Sequence, residues 1–466
     1  MPASPEISAP SLVMIDSGAM RRRLILVASV LLCCRILTVA FTYSPDKIPS
    51  RPLFASGMLS ANDRSRWATV RSLVEQNSFE IDDIIAQQGW NSIDIVRHPA
   101  GAENAHFYSS KPPFLSVLVA ALYWPCYHIF HWDLVNQHFL LLRMFLLIVN
   151  ALPITVAWFT LNRLIERETE NEYARNYALL AMLFGTFLTT FAITLNNHTP
   201  AACAVVFALS GAWRIFRDGS TRLLDFAQAG FWSAFAVACE LPAAAAFGLL
   251  GLLLLVRAPR QTITAFVPAA MIPLGFFLDT NYVATGSIKP FYSGFGTELY
   301  NFTYNGRPSY WQNPQGIDKP RDALPVYLFH CLVGHHGIFS LSPMYLFAVW
   351  SCLSLQRDSS KGMRNLTQLT LLLSVVVLGF YMTKTESYNY GGNTSGLRWM
   401  FWLIPLWILA MVPTLERYSS RKWFRGIAVV CLLISVFSAT YSALNPWRHP
   451  WLFQLLEQWG VINYST

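Results

Sequence analysis

Apolar runs of about 18 to 22 residues recur from Leu24 to the end of the chain, each long enough to cross a bilayer as a helix. Composition agrees. Of 466 residues, 54% are hydrophobic and only 13% charged, where a soluble domain carries about a quarter charged residues. The expected fold is an all-α polytopic integral membrane protein of about eleven spans. The runs are 24–41, 138–161, 176–195, 201–215, 226–239, 241–256, 263–279, 337–355, 366–383, 399–415 and 427–444. The pair around Glu240-Leu241-Pro242 is short, as in a broken or tilted helical pair. The net charge of +8 does not indicate a nucleic-acid partner, because basic residues collect at cytoplasmic helix ends. The eight Cys sit mainly inside apolar runs without paired spacing, which argues against a disulfide framework and a zinc site.

Charge bias orients the bundle. Residues 1–20 are polar and predicted to be disordered in the cytoplasm; the Arg21-Arg22-Arg23 cluster then holds that end inside and marks an uncleaved first helix. One further apolar run, 113–130, decides the topology. If it does not span, every basic loop lies inside: Arg163, Arg167 and Arg175; Arg214, Arg217 and Arg222; Arg257 and Arg260; Arg357, Lys361 and Arg364; Arg417, Arg421, Lys422 and Arg425. The run is therefore read as an interfacial or re-entrant helix, started by Pro112-Pro113 and kinked by Pro125. A large first extracytoplasmic loop (42–137) with interfacial helices follows, then a second (280–336) and an extracytoplasmic tail (445–466). Four polar segments share the outer face: the first loop, the Asn196-Asn197-His198-Thr199 turn, the 280–336 loop and 386–398. The 280–336 loop mixes Tyr, Trp, Asn and Gly, which suits contact with carbohydrate, since aromatic faces stack on sugar rings and amides bond hydroxyls.

The first loop carries the candidate chemistry. From Asn62 to Gln76, Trp67, Val70 and Val74 recur at helical spacing, as in a helix lying on the membrane. Ser60 or Asn62 can cap it. Asp63 then falls in its first turn, where the helix dipole favours the ionised form. Such a carboxylate can take or orient the proton of an attacking hydroxyl. Arg64, Arg66 and Arg71 can hold a phosphate or touch lipid headgroups. Lys111, before Pro112-Pro113, stands on a stiff elbow at the depth of a lipid-linked phosphate; a snorkelling interfacial lysine fits the same spacing.

The succession Asp63-x-x-Arg66-Trp67-Ala68-Thr69, Leu73-Val74-Glu75, Phe79-Glu80-Ile81-Asp82 and His106-Phe107-Tyr108-Ser109-Ser110-Lys111-Pro112-Pro113 resembles the first extracytoplasmic loop of GT-C fold glycosyltransferases. It is closest to the bacterial aminoarabinose transferase and protein O-mannosyltransferase-like group. Gly337-Ile338-Phe339-Ser340-x-Ser342-Pro343 and Gly391-Gly392-x-x-x-Gly396-x-Arg398 resemble later elements of that group. The resemblance implies a polyprenyl-phosphate sugar donor and a lipid, glycan or protein acceptor at the outer face of a bacterial inner membrane. It makes Asp63 the base and Lys111 the phosphate ligand. Arg64, Arg66, Tyr108, His198 and Arg398 join Lys111 as candidate substrate ligands. The group often has a second acid in the next outward turn; here that turn reads Asn196-Asn197-His198. The departure weakens a metal-bridged mechanism, so no metal ligands are assigned and metal dependence stays open. His198 is the candidate to bind acceptor or phosphate in the acid's place.

The expected reaction is a single displacement that inverts the anomeric carbon. Arg35 and Glu240 lie at membrane depth, where ionisable residues are functional candidates. His330, His335 and His336 could ligate a metal, although the adjacent pair suits an interfacial turn better. The rival readings are a transporter or flippase, a polymer ligase for lipid-linked glycans, and a non-catalytic assembly protein.

Overall fold

The computed structural model describes residues 17–42, 58–319, 322–354, 361–383, 385 and 389–464. The expected disorder of residues 1–16, the start of the first loop (43–57) and Glu386 lie outside the described residues. The first helix, α1 (Ser17–Thr42), begins inside the stretch expected to be disordered.

The first-loop region follows, with α2 (Ala61–Glu75), α3 (Asp82–Ile85), the hairpin β1 (Ile95–His98) and β2 (His106–Ser109), and α4 (Phe114–His128). Next come α5 (His138–Leu146) and α6 (Leu152–Glu168), continuous through a π-turn at Leu147–Ala151, then α7 (Glu172–Phe184), α8 (Leu188–Phe191), α9 (His198–Phe216), α10 (Leu223–Cys239) and α11 (Ala244–Arg257). The helices α12 (Pro259–Gln261) and α13 (Val267–Thr285) lead into the second loop, which carries the small hairpin β3 (Thr303–Tyr304) and β4 (Arg307–Pro308). The chain continues with α14 (Leu324–Leu332), α15 (Ile338–Leu341), α16 (Leu346–Ser354), α17 (Lys361–Met382), α18 (Ile404–Ala410), α19 (Val412–Tyr418), α20 (Lys422–Tyr441) and α21 (Trp451–Gln458).

Among the described residues, six helical stretches are long and apolar enough to cross a membrane: His138–Glu168, His198–Phe216, Pro259–Thr285, Gly362–Met382, Arg398–Tyr418 and Lys422–Tyr441. Further apolar helices are shorter, among them Leu223–Cys239 and Leu241–Arg257, the pair expected to be broken. The break is real. Glu240 is extended between α10 and a 3-10 turn over Leu241–Ala243, because Pro242 lacks the N–H that a continuous helix needs. The expected span 176–195 is also interrupted. Its helix stops at Gly185, where a Cβ would meet Met344 Sδ at 2.8 Å, so the neighbouring segment packs into that gap.

The two ends of the bundle differ in chemistry. At one end Arg21 pairs with Glu166 (2.8 Å) and Glu172 (2.6 Å), Arg217 pairs with Glu168, and Asn171 bonds Ser419 (2.9 Å). These are loops assigned to a single side by charge. After the first loop, one long helical stretch, His138–Glu168, carries the chain to that end. Helix α4, fifteen residues long, therefore stays on the first loop's side. It starts at Pro113, contains Pro125 and packs on α2, where Ser116 Oγ donates to the Arg66 carbonyl (3.4 Å).

Helix α2 departs from the one-sided helix expected on a membrane surface. Eleven of its fifteen residues are buried, Asp63, Arg66 and Arg71 included. Its polar side chains are buried because each finds partners. Arg71 pairs with Glu75 (2.8 Å), bonds Gln87 (2.7 Å) and covers the Trp90 ring. Ser109 Oγ donates to Ser65 Oγ (3.0 Å). A buried polar helix of this kind is a positioned element, held from every side.

Candidate functional site

Asp63 is the third residue of α2, and its position is set by the cap. Ser60 Oγ accepts from Asp63 N (3.2 Å), and Ser60 N donates back to Asp63 Oδ2 (3.2 Å), the reciprocal pair of a capping box. A second donor, Trp447 Nε1, reaches the same oxygen at 3.0 Å. Oδ2 is thus doubly occupied, while Oδ1 is buried and has no hydrogen-bond partner. Burial dominates the electrostatics. The carboxyl is pushed up to about 8 by desolvation, against the Ser60 hydrogen bond, the Arg64 and Arg66 charges and the Trp447 bond. The helix start was expected to favour the ionised form; complete burial outweighs it.

Around Asp63 the structure gathers alternating charges. Arg66 Nη2 donates to Asn197 Oδ1 (2.7 Å), and its Nε donates to Asn62 Oδ1 (3.2 Å). Burial lowers the Arg66 guanidinium to about 10, opposed by Glu240 and Asp63. Asn197 Nδ2 bonds the Glu240 carboxylate and the Cys239 carbonyl, and His198 Nδ1 also contacts Glu240. The 196–199 turn, which has no acid of its own, thus has a carboxylate beside it, Glu240 at the α10 break.

The first-loop hairpin places the next pair. Its register sets Ile95 opposite Ser109, so Asp94 comes to lie across from Ser110, whose N donates to the Asp94 carbonyl (3.0 Å). One residue further on, Lys111 Nζ meets Asp94 Oδ1 at 3.1 Å. Both side chains are at most 10% exposed. Burial pulls the Lys111 ammonium down to about 8, against the Asp94 carboxylate.

A cavity of about 1000 Å³ opens beside this cluster, with Arg66, Lys111 and His198 behind its wall, at the upper end of the range for small-molecule sites. Asn62, Asp94, Arg398 and Trp447 contribute to its wall, and the second loop contributes Tyr310 and Asp318. Trp311 Nε1 ties that loop to the Ile93 carbonyl (2.9 Å). Burial raises the Asp318 carboxyl to about 6, opposed by the Tyr310 hydroxyl. Arg398 Nε bonds the Gly391 carbonyl (2.9 Å), and its guanidinium covers the Trp447 ring at 4.9 Å. Asp63 does not line the cavity. Trp447, held by Ser395 N donating to the Pro446 carbonyl (3.0 Å), forms a strap over it.

Of the residues singled out in the sequence, Asp63, Arg66, Lys111, His198 and Arg398 thus converge. Arg64 reaches the cavity wall, but it bonds the carbonyls of Asn91 (2.8 Å) and Met58 (3.4 Å). Tyr108 lies outside the wall, its hydroxyl donating to Glu80 (3.3 Å) and its ring packed on Phe291. Arg35 bonds the Ala443 carbonyl (2.9 Å), which ties α1 to the end of α20. Sequence reasoning missed Asp94 and Trp447. Neither has a local signal, and Trp447 sits 384 residues from its partner. Among the described residues, no three His, Cys, Asp or Glu side chains are grouped to hold a metal ion.

No protein-family model matches the chain, and no curated protein sequence does either. Solved structures do match. ArnT from Cupriavidus metallidurans, in the apo state, superposes with a TM-score of 0.50 at 12% identity, covering 89% of this chain and 63% of that one. The chain thus spans less than two thirds of that protein's length. The apo oligosaccharyltransferase of Archaeoglobus fulgidus gives a TM-score of 0.41 at 12% identity, over 91% of this chain and 56% of that one. The archaeal oligosaccharyltransferase AglB from the same organism, in complex with an inhibitory peptide and a dolichol-phosphate, gives 0.38 at 12% identity, over 91% and 55%. The mostly helical architecture and the ArnT superposition agree: the chain has the GT-C fold, that of polytopic membrane glycosyltransferases.

Proposed function

We propose that the protein is a membrane glycosyltransferase. It takes a sugar from a polyprenyl-phosphate carrier and transfers it, with inversion, to a lipid, glycan or protein acceptor at the extracytoplasmic face of a bacterial inner membrane. The observation that carries this reading is a buried carboxyl oxygen with no hydrogen-bond partner, Asp63 Oδ1, beside the Arg66 guanidinium, which in turn neighbours Lys111 and Arg398. The acceptor nucleophile attacks the anomeric carbon as Asp63 Oδ1 takes its proton. The bond from that carbon to the carrier phosphate oxygen breaks. Lys111, Arg66 and Arg398 balance the charge left on the phosphate. Asp94 holds Lys111 until the phosphate replaces it. Trp447 has to move aside for the acceptor to reach Asp63.

The test uses purified protein in bilayers with labelled polyprenyl-phosphate sugars and a membrane extract as acceptor source. The expected result is label leaving the carrier for another molecule. Carrier that crosses the bilayer with its sugar attached would point to a flippase instead.

Two consequences follow from the charges. The base must be ionised and the phosphate ligand protonated. Asp63 and Lys111 are both displaced to about 8, from below and from above. Transfer should therefore rise with pH up to about 8 and fall beyond it, a narrow bell in kcat/KM measured across pH. Trp447→Phe removes one of the two donors to Asp63 Oδ2. The carboxyl then goes up further, so the acid limb should move to higher pH and the rate at neutral pH should drop severalfold. An unmoved acid limb would remove Trp447 from the account.

A further inference from the structure

Behind the Gly391–Arg398 loop lies a buried chain of hydrogen bonds that the transfer reaction does not use. His336 Nε2 meets the Thr394 carbonyl (3.2 Å), and the Nδ1 atoms of His335 and His336 meet each other. His335 Nε2 meets the Tyr464 hydroxyl (3.0 Å), and that hydroxyl meets Asp322 Oδ2 (2.7 Å). Tyr390 brings its own hydroxyl hydrogen to the same carboxylate.

The four links from Thr394 to Asp322 can be counted as hydrogens. Each link needs one. The Thr394 carbonyl only accepts, so its hydrogen comes from His336. Two neutral imidazoles and one phenol supply three hydrogens, and an ionised Asp322 supplies none. With all four links made, the chain holds a fourth hydrogen. It resides either on Asp322 or on an imidazole that then faces the carboxylate charge through Tyr464. Without it, one link is missing at any instant, and a buried polar pair is left unsatisfied.

The chain connects to the candidate site. Thr394 precedes Ser395, whose N holds the Pro446 carbonyl (3.0 Å), and Pro446 precedes Trp447, the residue over Asp63. Tyr464 lies at the other end of the same C-terminal segment. We infer that this chain is a proton-dependent latch on the Trp447 strap, closed when the shared hydrogen is present and loosened when it leaves. His335 and His336 are positioning residues that act through the strap. The inference rests on the transferase reading only for what the strap covers.

Other titratable groups face the latch. His330 stacks on His335 (3.9 Å between ring centres) and its element also carries Cys331. Tyr390 stacks on His336 (5.3 Å), and His449 lies edge-on to it at 6.0 Å. The charged group among the chain's own links is Asp322, and Arg398 is the cation on the Thr394 loop. Burial and the neighbouring imidazoles lower His335 and His336, while Asp322 acts on His330 in the opposite direction. The sign is fixed by the count: rising pH removes the fourth hydrogen, so the latch weakens as pH rises.

The experiment is amide hydrogen exchange of residues 443–464 in the full chain in bilayers, corrected for the chemical exchange rate, from about pH 4 to about pH 9, a range that reaches below ordinary imidazole titration because both imidazoles are lowered. In wild type, protection of the Trp447 segment should fall about tenfold as pH rises, the upper end of what one net hydrogen bond contributes. Asp322→Asn carries amide hydrogens at that position at every pH, so its protection should stay high and pH-independent. Tyr464→Phe removes two links, so its protection should be low throughout. A wild type with no pH step, or an Asp322→Asn protein with the same step as wild type, overturns the latch. The readout needs no donor, acceptor or turnover, so it stands or falls separately from sugar transfer.

Discussion

Asp63→Asn should leave a folded protein whose transfer rate is about a thousandfold lower, within the range assigned to a general base. The substitution is nearly isosteric, and its amide oxygen can still accept from Ser60 N and Trp447 Nε1. Only the ability of the second position to take a proton is lost. Stability should move in the opposite direction. In the native protein the carboxyl sits at about 8, above its ordinary value of 3.8. The folded state therefore binds a proton that the unfolded chain has released, and wild-type stability falls as pH rises through the interval between those values. An asparagine has no charge to bury. Thermal unfolding in detergent should show the variant melting above wild type at pH 9, with the difference shrinking toward pH 4. A variant that is slower and also less stable at pH 9 would mean that Asp63 is a structural cap.

Lys111→Met should be damaging in two separable ways. It removes the proposed phosphate ligand, so the KM for donor should rise and kcat should fall. It also leaves Asp94 buried opposite an apolar side chain. Breaking a buried ion pair from one side costs about 3 to 5 kcal/mol, which would show as a large drop in the urea or thermal midpoint. Asp94→Asn in the same background removes the stranded charge. The double variant should regain most of the stability and none of the turnover. Recovery of turnover along with stability would assign the pair a structural role only.

The legibility of this chain divides by sequence distance. Features that depend on neighbouring residues could be read directly. Ser60 before Asp63 announced the capped start of α2, and Pro112-Pro113 the start of α4. Pro242 after Glu240 announced the helix break, and the spacing of basic residues sorted the loops by end. The surroundings of the site could not be read. Trp447 joins Asp63 from a segment that looked like a tail, and Glu240 reaches Asn197 and His198 from the next helix break. Asp94 depends on a hairpin register with no periodic signal over four-residue strands. The burial of α2 was invisible for the same reason. Its polar pattern suits a surface helix, and only tertiary partners for Arg66 and Arg71 make burial tolerable.

The central claim is that sugar leaves a lipid phosphate through Asp63. Its most direct test is a single turnover, with protein in excess over labelled polyprenyl-phosphate sugar in bilayers, saturating acceptor extract and a pH near 8. Wild type and Asp63→Asn are compared for donor bound and polyprenyl phosphate formed. The expected result is equal binding by both proteins, with polyprenyl phosphate formed rapidly by wild type and almost none formed by the variant. Equal formation of polyprenyl phosphate by both would contradict the claim.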